Sequence, residues 1–335
     1  MSESEGVHQR VMAQERVYNP RVRMGNWRED VTLEEEALRE FLQKKDRGEL
    51  TIQKNGVLRE NLLQPVSLSV SPDGLLRFGD TVMLLNVRGM TRDPCDPCAL
   101  SIIADLSNIA THLETNSKPH LRGPCPVGGA SSIQPCVRNA FIITSVDETA
   151  DGEILRYEQN FALRTTAGFG GQLYLASDHR TFQKCAKKSQ LQEVSLVEQM
   201  DFLCWWRLVY IDPQERLEHE GFPVQVNSKL LLSHCKTNQC LAALPDHTLW
   251  TVFGKEAEIT ARTLLDSHKA EQDCNHWMFM EADPGEPSAP RHHPRREPVR
   301  NPHTLKTPPD EWNSCFCCIL KLNNAYTPDI SQCSS

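Results

Sequence analysis

One grammar of short apolar runs and turns occurs twice in this chain, and it restricts the fold more than any other feature. The later copy runs from Gln225 to Met280. It opens with Lys229-Leu-Leu-Leu-Ser-His234, turns at Lys236-Thr-Asn-Gln239 and continues with Cys240-Leu-Ala-Ala-Leu244. The alternating Gly254-Lys-Glu-Ala-Glu-Ile-Thr260 follows, and His276-Trp-Met-Phe-Met280 closes the copy. Runs this short, bounded by turn residues, point to strands rather than helices.

The earlier copy spans Tyr157 to Tyr210. Its opening run is Gln159-Asn-Phe-Ala-Leu-Arg164, its turn Ala167-Gly-Phe-Gly-Gly171, and its second run Gln172-Leu-Tyr-Leu-Ala176. The alternating Gln190-Leu-Gln-Glu-Val-Ser-Leu196 and the closing Cys204-Trp-Trp-Arg-Leu208 complete it. Leu173 aligns with Leu241, and Trp206 with Trp277, 71 positions apart. That period exceeds the roughly 20–50 residues of most solenoids and propellers. A weaker third copy lies upstream, with Phe78–Leu85 opening it, Ala99–Ile103 as its second run and Asn139–Thr144 closing it. Three four-strand copies predict a closed all-β, β-trefoil-like domain with pseudo-threefold symmetry, in which closure removes free sheet edges. An ordinary β-sandwich is the alternative.

The flanks differ in character. Residues 1–18 form a polar leader, and 19–48 an extended arm followed by a helix. In the helix, Thr32 and Glu35 make a capping-box pattern, Lys44, Lys45 and Arg47 occupy the last turn, and Gly48 ends it. Its stripe of Leu33, Ala37, Phe41 and Leu38 or Leu42 either packs on the domain core or docks on a partner. Ser71-Pro-Asp-Gly74 predicts a turn joining Pro65–Val70 to Leu75–Phe78 as a hairpin. Residues 49–282 form the β-domain, with an irregular insertion at about 87–136. Residues 283–335, rich in Pro, Arg and Cys, read as a disordered tail.

Among 335 residues, 44 acidic against 36 basic side chains give a net charge of −8. That balance argues against nucleic acid as the main partner, which would favour a basic face. No run of 18 apolar residues suggests a membrane span, and the acidic start Met1-Ser-Glu-Ser-Glu-Gly6 lacks the pattern of a secretory signal. The expected setting is cytoplasmic, where the 13 cysteines are free thiols.

No motif assembles a catalytic site, a cofactor site or a metal site, so an enzyme is not expected. Cys95 and Cys98 form a single C-x-x-C with no second pair at zinc spacing. His234 beside Cys235, with Cys240 close by, is better accounted for as a half-buried strand pair than as a nucleophile and its base. The Asp178-His179 and Asp266-Ser-His268 groups suit turn capping by the Asp. Gly168-Phe-Gly-Gly171 lacks the Gly-Lys-Ser/Thr ending of a phosphate loop. Cys315, Cys317 and Cys318 offer an acylation cluster without a basic anchor. Two features remain as partner contacts: Trp27, a large apolar anchor in the arm, and the basic run Lys184, Lys187 and Lys188.

Several longer segments carry a family resemblance. They are Arg23-Met-Gly-Asn-Trp-Arg-Glu-Asp30, Glu34-Glu-Glu36 with Phe41-Leu42, and Tyr174-Leu-Ala-Ser-Asp-His-Arg-Thr181. Glu218-His-Glu-Gly-Phe-Pro-Val224, Ser233-His-Cys-Lys-Thr-Asn238, Phe253-Gly-Lys-Glu-Ala-Glu258, Asp266-Ser-His268 and Asn275-His-Trp277 continue the set. From about Tyr18 to Met280 the chain resembles the cilia- and flagella-associated protein 161 family. Thr91–Pro135 and the tail beyond Asp283 do not follow the family pattern. The resemblance implies a β-trefoil related to MIR domains. It also implies a structural microtubule inner protein of motile cilia, lying in the A-tubule lumen of the axonemal doublet near its seam. Such a protein stabilises the doublet and supports ciliary beating and sperm motility. Its implied partners are α/β-tubulin and other inner proteins, with no nucleic acid, membrane or cofactor. A carbohydrate- or small-ligand-binding β-trefoil is the alternative.

Overall fold

Two N-terminal helices lead into an all-β body. The computed structural model describes residues 27–87, 97–110 and 119–282, with side chains described from residue 31 and not at residue 110. The expected leader, the extended part of the arm and the tail 283–335 lie outside the described residues.

Helix α1 (Trp27–Asp46) begins five residues before Thr32, and Gly48 follows it in the left-handed region, as its C-terminal signals predict. Its apolar stripe does not pack on the core. Leu33, Leu38, Phe41 and Leu42 are 45–58% exposed. Helix α2 (Thr51–Leu62), not foreseen in the sequence, buries Leu58 and Leu62, one turn apart on the same face.

The strands then run β1 (Thr81–Asn86), β2 (Cys98–Ile102), β3 (Ile109–Ala110), β4 (His120–Leu121), β5 (Cys125–Ala130), β6 (Ala140–Ser145) and β7 (Asn160–Thr165). They continue as β8 (Tyr174–Ser177), β9 (Gln192–Val197), β10 (Trp206–Tyr210), β11 (Lys229–His234), β12 (Leu241–Thr251), β13 (Gly254–Ala261) and β14 (His276–Met280). The strands of the two clear repeats overlap the runs read from the sequence, with β12 continuing seven residues beyond Leu244. The segment 87–136, expected to be irregular, contains β2, which matches the expected run Ala99–Ile103, and the unforeseen β3 to β5.

Twelve strands form one antiparallel sheet, with β3 and β4 pairing separately. β1 pairs with β14, Met83 opposite Met280, and with β6, Val82 opposite Phe141. From β6 the pairing passes through β7, β10 and β11 back to β14, so the sheet closes on itself. The hairpin partners β5, β9 and β13 also pair across copies, as with Ala257 opposite Gly129 and Thr260 opposite Glu193.

This architecture corrects the β-trefoil expected from the repeats: the described strands form a closed antiparallel β-barrel. The finding that overturns the expectation is the pairing, which draws strands of all three copies into one continuous closed sheet. Repeated runs mark which segments become strands, but which edges meet is set by long-range pairing that the repeat does not encode. The expected hairpin around Ser71–Gly74 is corrected for the same reason. The turn is present, with Leu75 N–H donating to Ser71 Oγ at 3.1 Å, but its flanks bridge elsewhere, Pro65 to Cys136 and Leu75 to Gln225.

The barrel interior is filled by side chains from every copy. Phe78, Phe141, Phe161, Trp206, Trp277 and Phe279 are fully or almost fully buried in one cluster with Leu58 and Leu62 of α2. A further device joins the first copy to the last. The buried Arg138 guanidinium donates to the buried Glu256 carboxylate and lies 3.9 Å from the centre of the Phe253 ring.

Candidate functional site

The three lysines singled out in the sequence share the loop between β8 and β9, and all three are exposed. The loop is tied down from several sides. At its start, Asp178 Oδ1 accepts from Lys236 Nζ at 2.8 Å. In the middle, Thr181 N–H donates to Lys184 O at 3.0 Å, and Lys184 N–H donates back to Thr181 Oγ1 at 2.9 Å. At its end, the buried Glu258 carboxylate of β13 accepts from Lys188 N–H at 2.8 Å and from Ser189 N–H at 2.7 Å. Ala186 is buried beneath the loop. The lysine ammonium groups therefore project from a fixed backbone.

Phe182 stands at the centre of this loop with its side chain fully in solvent. One apolar residue among Arg180, Thr181, Gln183 and Lys184 has no periodicity, so the sequence carries no signal for it. Trp27 is the first residue of α1, and its side chain lies outside the described residues. The structure therefore places the three lysines on one loop.

The remaining chemical candidates resolve into packing and capping. The Cys235 and Cys240 thiols are each pushed up to about 11, first by burial, which opposes a thiolate. His234 is engaged elsewhere. Its Nε2 lies 2.9 Å from Leu203 O, which can only accept, so Nε2 carries the proton and Nδ1 accepts from Thr237 Oγ1 at 2.9 Å. Burial holds this imidazole below its ordinary pKa. Asp178 Oδ1 accepts from the His179 backbone N–H, and Asp266 Oδ1 from those of His268 and Ala270, which is turn capping. Cys95 and the 315–318 cysteines lie outside the described residues. Among the described residues, no three His, Cys, Asp or Glu side chains are placed to hold a metal.

A cavity of about 270 Å³ is lined by Glu158, Arg207, Arg216, Glu271 and neighbouring residues. Its charges are paired internally, Arg207 with Glu158 at 3.3 Å and Arg216 with Glu271 at 2.6 Å. Its lining holds no aromatic side chain.

Among the described residues, a closed barrel carries a basic loop, and helix α1 exposes an apolar stripe. The family model described as "Cilia- and flagella-associated protein 161-like domain" matches residues 54–282. A curated relative of that name from Danio rerio is 66% identical over 277 residues, 83% of this chain and 92% of its own length. The chain belongs to the cilia- and flagella-associated protein 161 family. A member from Bos taurus is 45% identical over 271 residues, 80% of this chain and 83% of its own length. Among solved structures, the SDF2-like protein from Arabidopsis thaliana is 16% identical, with a TM-score of 0.43 over 62% of this chain and 95% of that one. Family membership gives an association with cilia and flagella, and the relatives' names denote association rather than catalysis.

Proposed function

We propose that this chain is a structural microtubule inner protein. In this reading it lies in the lumen of the A-tubule of the axonemal doublet, stabilises that doublet and supports the beating of motile cilia and sperm flagella. The observation that carries the reading is the fixed basic loop with Lys184, Lys187 and Lys188 on a closed barrel, in a family named for cilia and flagella. A part that repeats along a filament needs a body that does not deform, and the closed sheet supplies it. Repetition then lets each contact be weak, because neighbouring contacts hold the partner at high local concentration. The lysines and the exposed stripe of α1 are the surfaces available to α/β-tubulin and to other inner proteins.

The test is fractionation of isolated motile axonemes, following this chain with an antibody. It should remain with the doublets after high-salt extraction and leave only when the tubule walls dissolve. Release with the soluble matrix would remove the lumenal reading.

A further inference from the structure

We propose that the β8–β9 loop is a preformed docking finger for an acidic protein surface containing an apolar recess, with Phe182 as its anchor and the surrounding cations as its collar. This rests on the reading above that the three lysines meet a partner, and adds what that partner surface must look like.

The first observation is charge. From residue 179 to residue 189 the loop carries Arg180, Lys184, Lys187 and Lys188 and no acidic residue, in a chain whose net charge is −8. Asp178, at the edge of the loop, is already taken by Lys236. Asp105 and Glu193 on neighbouring elements lie near enough to feel the charge of Lys187, and Glu193 that of Lys184 as well, but the loop's four cations outnumber them, so its complement is acidic. The net charge of the whole chain would repel a long polyanion such as nucleic acid, which favours a compact acidic protein face.

The second observation is Phe182. Its ring is fully exposed although a buried polypeptide surface, that of Ala186, lies four residues away on the same loop. A lone aromatic held out in water is the residue type that dominates binding when it enters a recess and loses its water.

The third observation is that the loop is already ordered. The reciprocal hydrogen bonds of Thr181 and Lys184 bracket Phe182, and the Glu258 carboxylate holds the backbone at Lys188 and Ser189. Binding then costs little further backbone ordering, so the anchor's burial appears more fully as affinity. Glu258 acts here as a positioning residue. It reaches the loop from a strand 70 positions along the chain, and its buried carboxylate is held by these two N–H groups.

The test uses the purified full chain and soluble αβ-tubulin as the probe, with duplex DNA as the competing polyanion, each at low and moderate salt. Phe182→Ala should weaken tubulin binding about tenfold without changing its salt dependence. The triple change Lys184→Ala, Lys187→Ala and Lys188→Ala should weaken it and flatten the salt dependence. Phe182→Trp should restore binding, and thermal melting should show Phe182→Ala folded as the parent is. Equal binding by parent and Phe182→Ala, absence of tubulin binding by the parent, or tighter binding to DNA would each overturn the proposal. Retention on doublets without Phe182-dependent tubulin binding would leave the inner-protein reading standing and remove this one. Phe182-dependent tubulin binding by a chain that leaves with the soluble matrix would do the reverse.

Discussion

Trp206 and Trp277 occupy equivalent places in two copies of the repeat. Each is fully buried, and each indole N–H donates to a backbone carbonyl of its copy's second strand, Trp206 to Leu175 O at 2.8 Å and Trp277 to Leu241 O at 3.0 Å. In the first copy the matching residue is Phe141, which pairs with Val82 as Trp206 does with Phe161 and Trp277 with Leu230. Leu241 O also accepts from Asn275 Nδ2 at 3.0 Å, so it keeps a side-chain donor when the indole is removed. Trp206→Phe, which removes the side-chain donor to Leu175 O, should therefore cost ~1–3 kcal/mol, and Trp277→Phe less. Urea unfolding measures both, and a larger loss for Trp277→Phe would contradict the argument.

Glu281 gives the fold a pH dependence of defined sign. Its carboxyl is pushed up to about 7, first by burial and then by Asp80 beside it, while Ser71 N–H donates to its Oε2 at 2.8 Å. The folded chain keeps a proton that the unfolded chain releases above about 4.5. This group's contribution is therefore largest at low pH and falls between about 4.5 and 7, by at most ~1.4 kcal/mol per pH unit. Glu281→Gln should gain on the parent from pH 5 to pH 7 in thermal melts and level off above that. A constant difference across that range would contradict the assignment.

The Arg138–Glu256 pair should behave as a unit. Arg138→Met or Glu256→Gln leaves the other member buried without its partner, at a cost of ~3–5 kcal/mol. The double variant should lose clearly less than the two single losses together, with a coupling of ~0.5–3 kcal/mol. A double-mutant cycle by denaturant unfolding decides it, and strict additivity would mean that the pair contributes no coupling.

Two glycines of one turn should respond differently to a methyl group. Gly171 has φ +76°, and a Cβ there would lie 2.2 Å from Leu121 O, whereas Gly168 at φ +81° faces open space. Gly168→Ala should cost only the left-handed strain, ~1–2 kcal/mol. Gly171→Ala must also push β4 away, so its midpoint in urea should fall further. Equal losses would show that β4 yields without cost.

The sequence made the clear repeats legible because their strands are short apolar runs bounded by turns; β7 to β14 coincide with those runs to within about two residues, except that β12 continues to Thr251, seven residues beyond Leu244. The alignment within the copies slipped by two: Leu175, not Leu173, takes the place of Leu241 as acceptor for the tryptophan. A slip of two keeps the side chain on the same face, so the apolar pattern could not reveal it. β5 was hidden by Pro126, Gly128 and Gly129. A Cβ at Gly128 would meet Ile103 Cδ1 at 2.6 Å and Glu256 Oε2 at 3.0 Å, so a larger residue requires those side chains to shift, a packing constraint that no local pattern shows. α2 was hidden by Gly56 near its middle and by having only two buried residues. Of the docking loop, the lysines could be read as a basic run. The Glu258 carboxylate that fixes them could not, because it reads as one more polar residue of an alternating strand.

The pairing of Met83 with Met280 also dictates when this protein can fold. A ribosome must add 197 residues after Met83 before its partner exists, roughly 10–40 s at ordinary synthesis speeds of ~5–20 residues per second. During that interval the β14 side of β1 is an open template for any other nascent strand. The edge of β1 must therefore stay clear of other strands until synthesis reaches β14.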